Sequence, residues 1–136
     1  MEHFSEGAWY RVSLRLMGDE LLVDELEQRL GIVPTHVGKK GEHYRKDPSQ
    51  AKYETNVWVW RYPAESHVTF EEQILLLLDV IEPKRDALKE IIFVSGAKAE
   101  LFLGSCSKNG KECTPISDNL LCRIADLGLS LDFDLY

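Results

Sequence analysis

The chain has 136 residues and a formal net charge of −7, and 44% of its residues are hydrophobic and 29% charged. This length fits one domain, residues 1–136, and the composition is that of a globular protein that can bury a core without disulfides or a metal. The negative charge argues against a nucleic-acid partner, because such a protein needs cations to neutralise phosphates.

The first predicted strand covers residues 9–17, where apolar and polar residues alternate. This alternation is typical of a strand with one buried face and one exposed face. Arg11 and Arg15 fall on the polar side. A helix is predicted next, because apolar residues then recur at helical spacing up to Leu30, and Gly31 suits the position that ends a helix.

An irregular polar segment follows at residues 34–55, where glycines and prolines interrupt any period. A loop of this length inside a domain is unusual, and such loops are often functional or mobile. The second predicted strand, residues 57–62, is rich in aromatic and β-branched side chains, including Trp58 and Trp60.

The middle of the chain predicts helices on both sides of Pro83. Thr69 and Glu72 form a capping box that begins the first helix. Proline fits the first turn of a helix better than its interior. We therefore predict two helices, at about residues 70–82 and 84–94, with a single kinked helix as the alternative.

The last third of the chain predicts a second strand–helix–strand unit. A strand at residues 97–104 precedes a polar loop at 105–115 with a turn at Asn109-Gly110. A helix capped by Ser117 ends at Gly128, and strict alternation predicts a final strand over residues 129–136.

Together these elements predict an α+β fold with two strand–helix–strand halves joined by a helical linker. A ferredoxin-like α/β sandwich has this order, with a mainly antiparallel four-stranded sheet and helices on one face. In that fold the first and last strands are antiparallel neighbours. The direction of the middle strands depends on whether the linker contains one helix or two.

Several short motifs, taken in order, resemble a bacterial family, the domain of unknown function 4279 (DUF4279). They are YRVSLRL (10–16), GD (18–19), LGIVPT (30–35), KGE (40–42), Trp58, EPKRDAL (82–88) and LGLSLDFD (127–134). The resemblance covers nearly the whole chain. It implies no activity, cofactor or catalytic residue. Small acidic bacterial domains of this sort are often encoded alone or beside secreted toxins, and this analogy suggests an immunity-like or accessory protein.

The irregular segment is the first candidate binding site. It concentrates basic side chains within residues 36–46, next to the aromatic strand. Basic and aromatic residues together suit a phosphate, a nucleotide or an acidic peptide. The candidate ligand-binding residues are Lys39, Lys40, Arg45, Trp58 and Trp60. The structural alternative is a solvated loop beside two core tryptophans. The segment is no P-loop, because it lacks that motif's spacing.

A second-choice cluster comprises Arg11, Arg15, Asp132 and Asp134 on the polar sides of the first and last strands. Paired carboxylates can serve acid–base chemistry, but Arg–Asp pairs between neighbouring strands explain the same four residues structurally. No spacing typical of a metal site or of a nucleophile with its base occurs, so we expect no metal, cofactor or catalytic residue.

The direction in which Trp58 and Trp60 point is undecided, because the register of their strand is unknown. If they lay on the helix-free face of the sheet, they would form a large apolar patch of the kind that marks a partner surface. We therefore expect a binding domain without catalytic machinery, whose partner is another protein. The alternative is a nucleotide- or phosphate-binding module, or an enzyme, that uses residues 36–46.

The remaining expectations concern compartment and assembly. Cys106, Cys113 and Cys122 are odd in number and show no paired spacing, which favours a reducing, cytoplasmic environment. No signal peptide is expected, and no apolar run is long enough to span a membrane. Neither nucleic acid nor membrane is an expected partner, whereas a homodimer is compatible with the sequence.

Overall fold

A computed structural model describes residues 9–106 and 115–135 of the chain. Within these residues the fold is α+β, with five strands and four α-helices. In chain order the elements are β1 (Trp9–Gly18), α1 (Val23–Leu30), β2 (His36–Gly38), β3 (Asn56–Arg61), α2 (Phe70–Ile81), α3 (Arg85–Ser95), β4 (Lys98–Cys106), α4 (Asp118–Asp126) and β5 (Ser130–Leu135). The α+β class predicted from the sequence is confirmed.

The strands form one sheet in the order β2-β3-β1-β4-β5. Antiparallel pairing joins β2 to β3, β3 to β1 and β1 to β4, whereas β5 runs parallel to β4. The ferredoxin-like description matches this sheet only roughly, because the sheet has five strands instead of four. The predicted pairing of the first and last strands is wrong, since β4 lies between β1 and β5.

The helices cover one face of the sheet and enclose a single core. Its centre is the apolar side of β1, where Leu14 and Leu16 are fully buried. Leu101 of β4 extends this layer, and the helices contribute buried residues such as Leu77 and Leu88. The strict alternation in β1 arises because every second side chain of a strand points into this layer.

An ion cluster fastens α4 to the end of α2. Arg123 donates two hydrogen bonds to Glu82, at 2.9 and 2.6 Å, and one to Asp79 at 3.0 Å. Bidentate pairing between an arginine and a carboxylate fixes the relative orientation of the two side chains as well as neutralising their charges. The hydrogen bonds from Arg123 lower the pKa of the Glu82 carboxyl below its ordinary value.

The linker contains two helices, as predicted. The chain forms a short 3₁₀ turn at Glu82–Lys84, with Pro83 near its start, and α3 begins directly after it. Proline is tolerated there because the first turn of a helix needs no N–H donor at that position. At the start of α2, Thr69 accepts the backbone N–H of Glu72 at 3.4 Å, as the capping box predicted.

Two predicted loops have different outcomes. The irregular segment at residues 34–55 contains β2, a strand missed because it has only three residues and ends on Gly38. Most of the predicted loop at 105–115, with its turn at Asn109-Gly110 and Cys113, lies outside the described residues, as does Tyr136.

Candidate functional site

The register of β3 decides where the tryptophans point. Trp58 lies opposite Leu16 and Trp60 opposite Leu14, so both share the helix-covered face with the buried side of β1. Trp58 is fully buried, and Trp60 is half-buried against the core. These two candidates are therefore part of the packing beneath the helices and do not contribute to the helix-free face.

The other side of β3 is also apolar, and none of the four described helices covers it. Val57 lies opposite Met17, and Val59 opposite Arg15. All four side chains are half-buried on the helix-free face. Thus β3 carries apolar residues on both of its faces, in contrast to β1.

The segment between β2 and β3 folds into an ordered lobe over this helix-free face; we call residues 39–55 the lobe. Its two arms are joined by backbone hydrogen bonds from Tyr53 to Glu42 and from Tyr44 to Ala51, both 2.9 Å. An isolated bridge between residues 43 and 52 continues the pairing. Internal pairing of this kind satisfies the polar backbone of a segment that is otherwise irregular.

The tip of the lobe includes two left-handed residues. Arg45 and Lys46 have φ angles of 55° and 57°. Left-handed backbone is uncommon outside glycine, and it holds the two side chains at the outer end of the lobe. The amides of Lys46 and Asp47 are already used, since they donate to the carbonyls of His43 and Tyr44 at 3.0 Å.

Ion pairs anchor the base of the lobe to the rest of the domain. Lys39 donates to Asp24 at 2.7 Å, and Lys40 donates to Asp19 at 3.1 Å. Asp19 also accepts the Thr55 hydroxyl at 2.8 Å, so it joins both arms of the lobe. The hydrogen bonds from Thr55 and Lys40 lower the pKa of Asp19. Two of the three predicted loop cations are therefore structural partners.

Tyr53 packs against β2 and so connects the lobe to the sheet. Its ring lies against Gly38, where any Cβ would overlap it, and this contact explains the glycine. The Tyr53 hydroxyl is 2.5 Å from Nε2 of His36, and the ring of Tyr44 packs 4.4 Å from the Tyr53 ring between centroids. Burial raises the pKa of Tyr53.

The lobe and the sheet enclose a concavity of about 380 Å³, which we call the loop–sheet groove. It is lined by Arg15, Met17, His36, Tyr44, Arg45, Tyr53, Val57 and Val59. A second concavity of about 310 Å³ adjoins it and shares His36, Arg45 and Tyr53. Of the five residues first predicted as ligand-binding, the structure places only Arg45 here.

The second-choice cluster is partly an ion network across β4. Arg15 donates to Asp132 at 3.1 Å and to Glu100 at 2.9 Å, and its guanidinium stacks on Phe102 at 4.2 Å. Glu100, whose side chain is only 1% exposed, was missed by the sequence analysis. The sequence signal for Glu100 was its position in β4. It stands between two apolar residues and falls on the same face of the strand as Phe102.

The other two members of that cluster are farther along the same face. Arg11 stacks on the ring of Trp9, with 4.4 Å between the guanidinium carbon and the ring centroid. Asp134 lies opposite Gly104 in the parallel pairing of β4 and β5. The predicted Arg–Asp pairing thus occurs between Arg15 and Asp132, but it spans a third strand and does not join neighbours.

Two further features bear on the chemistry of the described residues. Within 9–106 and 115–135, no three side chains of His, Cys, Asp or Glu form a group that could hold a metal ion. None of the helices in these ranges is long and apolar enough to cross a lipid bilayer. The arrangement that these residues do provide is a groove with an apolar floor, an aromatic wall and an exposed arginine at its rim.

Comparison with known proteins identifies a family. No curated protein and no solved structure matches the chain. One family model does, over residues 8–136, and its description is a domain of unknown function, DUF4279. The match begins beside the first residue of β1 and runs through β5, so it includes the sheet, the helix layer and the lobe. The chain therefore belongs to the DUF4279 family.

Proposed function

We propose that this protein is a binding domain without catalytic machinery and that it recognises another protein through the loop–sheet groove. One observation carries the proposal: the helix-free face offers half-buried apolar side chains under an ordered lobe, and the arginine at the tip of that lobe has no ion-pair partner among the described residues. No described carboxylate forms an ion pair with Arg45. An apolar surface with a polar rim is the usual composition of a protein interface.

The floor of the groove supports a macromolecular partner. Val57, Val59 and Met17 contribute aliphatic area that the domain leaves partly exposed to water. Covering such area with a partner is favourable by about 25 cal/mol per Å² of apolar surface, before the costs of association. Tyr44, 41% exposed, adds an aromatic side chain of the kind that dominates binding energies at interfaces.

The alternative, a nucleotide- or phosphate-binding module, retains less support than the sequence suggested. It relied on a cluster of loop cations over the tryptophans. Lys39 and Lys40 are instead bound to carboxylates of the domain, and Trp58 is buried. A phosphate site normally combines several donors on one ligand. Of the three predicted loop cations, Arg45 alone has no carboxylate partner among the described residues.

The biological setting belongs to the same proposal. We propose a bacterial, cytoplasmic protein of the immunity or accessory type, in a fold of roughly ferredoxin-like layout. The odd number of cysteines, three, and the acidic net charge of −7 support it. A toxin-like gene beside the coding sequence would support the immunity role specifically, and a metabolic operon would contradict it.

A site-directed photo-crosslinker tests the binding surface. It is placed at Val59 in one version of the protein and at Lys89, an exposed residue of α3, in the control. Both are expressed in the source cells, and the crosslinked protein is identified and purified. We expect a partner that reacts at position 59 only, whose Kd weakens at least tenfold with Tyr44→Ala and less than twofold with Lys89→Ala.

Two results would contradict the proposal. The first is a purified partner whose affinity is unchanged by Tyr44→Ala and by Val59→Arg, with both variants shown by their melting temperature to be folded. The second is a thermal shift of several degrees with a nucleotide, a phosphosugar or a divalent metal, which would favour the alternative. Crosslinking to a second copy of the chain would make the groove a homodimer interface instead.

A further inference from the structure

We infer that the loop–sheet groove takes an extended, acidic segment of the partner, with a carboxylate on Arg45 and an apolar side chain on the valine floor. This inference rests on the proposed function and specifies its ligand. It commits to one kind of occupant, a peptide strand with negative charge. The supporting observations are the charge of the groove, its shape and the composition of its floor.

The charge of the groove is opposite to that of the protein. The described residues that line it include Arg15, His36 and Arg45 but no aspartate or glutamate, in a chain with a net charge of −7. Arg15 is already neutralised by Glu100 and Asp132. Arg45 has no such partner among the described residues, so its guanidinium is free to pair with a carboxylate of a ligand in bidentate fashion.

The shape of the surface favours an extended occupant. The groove and the adjoining concavity lie side by side and share His36, Arg45 and Tyr53. The adjoining concavity is also lined by one carboxylate, Glu42, and by a further cation, Lys46. A compact ligand would fill one of them, whereas an extended chain can pass from one to the other beneath Arg45. Successive side chains of an extended segment point in opposite directions, so alternate residues would face the groove.

The floor of the groove indicates which kind of side chain should lie near the acidic residue of the ligand. Val57, Val59 and Met17 provide an aliphatic surface, bounded on the lobe side by Tyr44 and Tyr53. An aliphatic or aromatic side chain of the ligand would be desolvated there. The recognised segment should therefore carry an acidic and an apolar residue two positions apart.

The test uses the intact protein and a displayed library of random 12-residue peptides. Selection on the wild type is followed by affinity measurements on Arg45→Glu and on the matched control Lys89→Glu, which changes net charge equally on the helix layer. We expect selected peptides to share an acidic residue two positions from an apolar one. We expect Arg45→Glu to weaken binding about tenfold or more, and Lys89→Glu less than twofold.

A charge exchange tests whether the acidic residue of the peptide pairs with Arg45 itself. Replacing the shared acidic residue of a selected peptide by lysine should abolish binding to the wild type and restore it, at least in part, to Arg45→Glu. Higher salt should weaken the wild-type complex and spare a complex held by apolar contacts alone.

The outcomes separate this inference from the proposed function. Peptides without an acidic preference that still lose binding to Val59→Arg would overturn the acidic segment and retain the groove as a docking surface. Peptides whose affinity is unchanged by Arg45→Glu, Tyr44→Ala and Val59→Arg would overturn both this inference and the proposed function. A selection that enriches no peptide, while the crosslinked partner still depends on Tyr44, would overturn the extended segment alone.

Discussion

The two faces of the central sheet are stabilised by different interactions. On the helix-covered face, β1 and β3 contribute fully buried side chains such as Leu16 and Trp58. On the helix-free face, the same strands contribute Arg15, Val57 and Val59, all half-buried. The first face is held by apolar burial, and the second by the lobe and by the ion network of Arg15, Glu100 and Asp132, which links β1, β4 and β5.

This difference separates stability from binding within single strands. A residue that contributes to the core and one that contributes to the groove are adjacent in β3, because side chains alternate between faces. Substitutions at Trp58 and Val59 should consequently have unlike effects, although both positions are apolar. The following experiments test this division, beginning with the largest expected change.

Trp58→Ala should lower the free energy of unfolding by about 3–5 kcal/mol, as expected for deleting a fully buried aromatic side chain. Its indole N–H has no acceptor among the described residues, so packing holds it. Val59→Ala should cost no more than about 1 kcal/mol. Urea unfolding measures both free energies, provided that their dependence on urea concentration is the same in the variants. Comparable losses of stability for the two variants would show that the two faces do not differ as described.

Arg15→Met should cost about 2 kcal/mol, because Lys98, at 3.7 Å, is then the one ion partner that the described residues leave to the buried carboxylate of Glu100. The double variant Arg15→Met/Glu100→Gln should recover part of this loss, since the uncompensated charge is then removed. Arg11→Met, which removes an exposed stacking contact, is the control. Equal losses for the two single arginine variants in chemical denaturation would show that the ion network does not hold the helix-free face.

Acid should weaken the helix-covered face through Glu82. Its pKa lies below the ordinary 4.5 in the folded protein, so its contribution to stability is complete above that pH and is lost as the pH falls through the lower value. Glu82→Gln should therefore flatten the fall of stability below about pH 4.5. Thermal melts at stepped pH measure this, with Glu27→Gln at an exposed position of α1 as control. An unchanged pH profile would mean that Arg123 does not stabilise ionised Glu82.

Lys40→Ala should change global stability by less than about 0.5 kcal/mol, because its ion pair with Asp19 is exposed. It should nevertheless speed amide hydrogen exchange within residues 41–54, since one anchor of the lobe is lost. Amides of β1 serve as the internal reference. Faster exchange in β1 as well would indicate that the lobe is not a separate unit of stability.

Much of the fold followed from local patterns. The alternation in residues 9–17, the capping box at Thr69 and the break at Pro83 each predicted an element that the structure contains. These signals are local, since they depend on side-chain periodicity and on backbone groups within a few residues. The family resemblance, which rested on short motifs in order, is confirmed over residues 8–136.

The candidate site was less predictable, since two of its features depend on contacts between distant residues and the third is a pairing for which the sequence held no signal. Lys39 and Lys40 belong to the same short segment as Arg45, yet among the described residues carboxylates from another part of the chain bind only the two lysines. Glu100 became buried because Arg15 lies beside it on the neighbouring strand. Residues 34–55 contained no signal for the internal pairing that makes the lobe.

By itself, the sequence determined the four helices, every strand of the described sheet except β2, and the side of β1 that faces the core. Only the tertiary structure decided the sheet order, which separates β5 from β1, and the face of β3 that carries the tryptophans. The physical reason is that β3 is apolar on both sides, so its own composition permits either register. Pairing with β1 and burial beneath the helices select one, and the valines are left to form the floor of the groove.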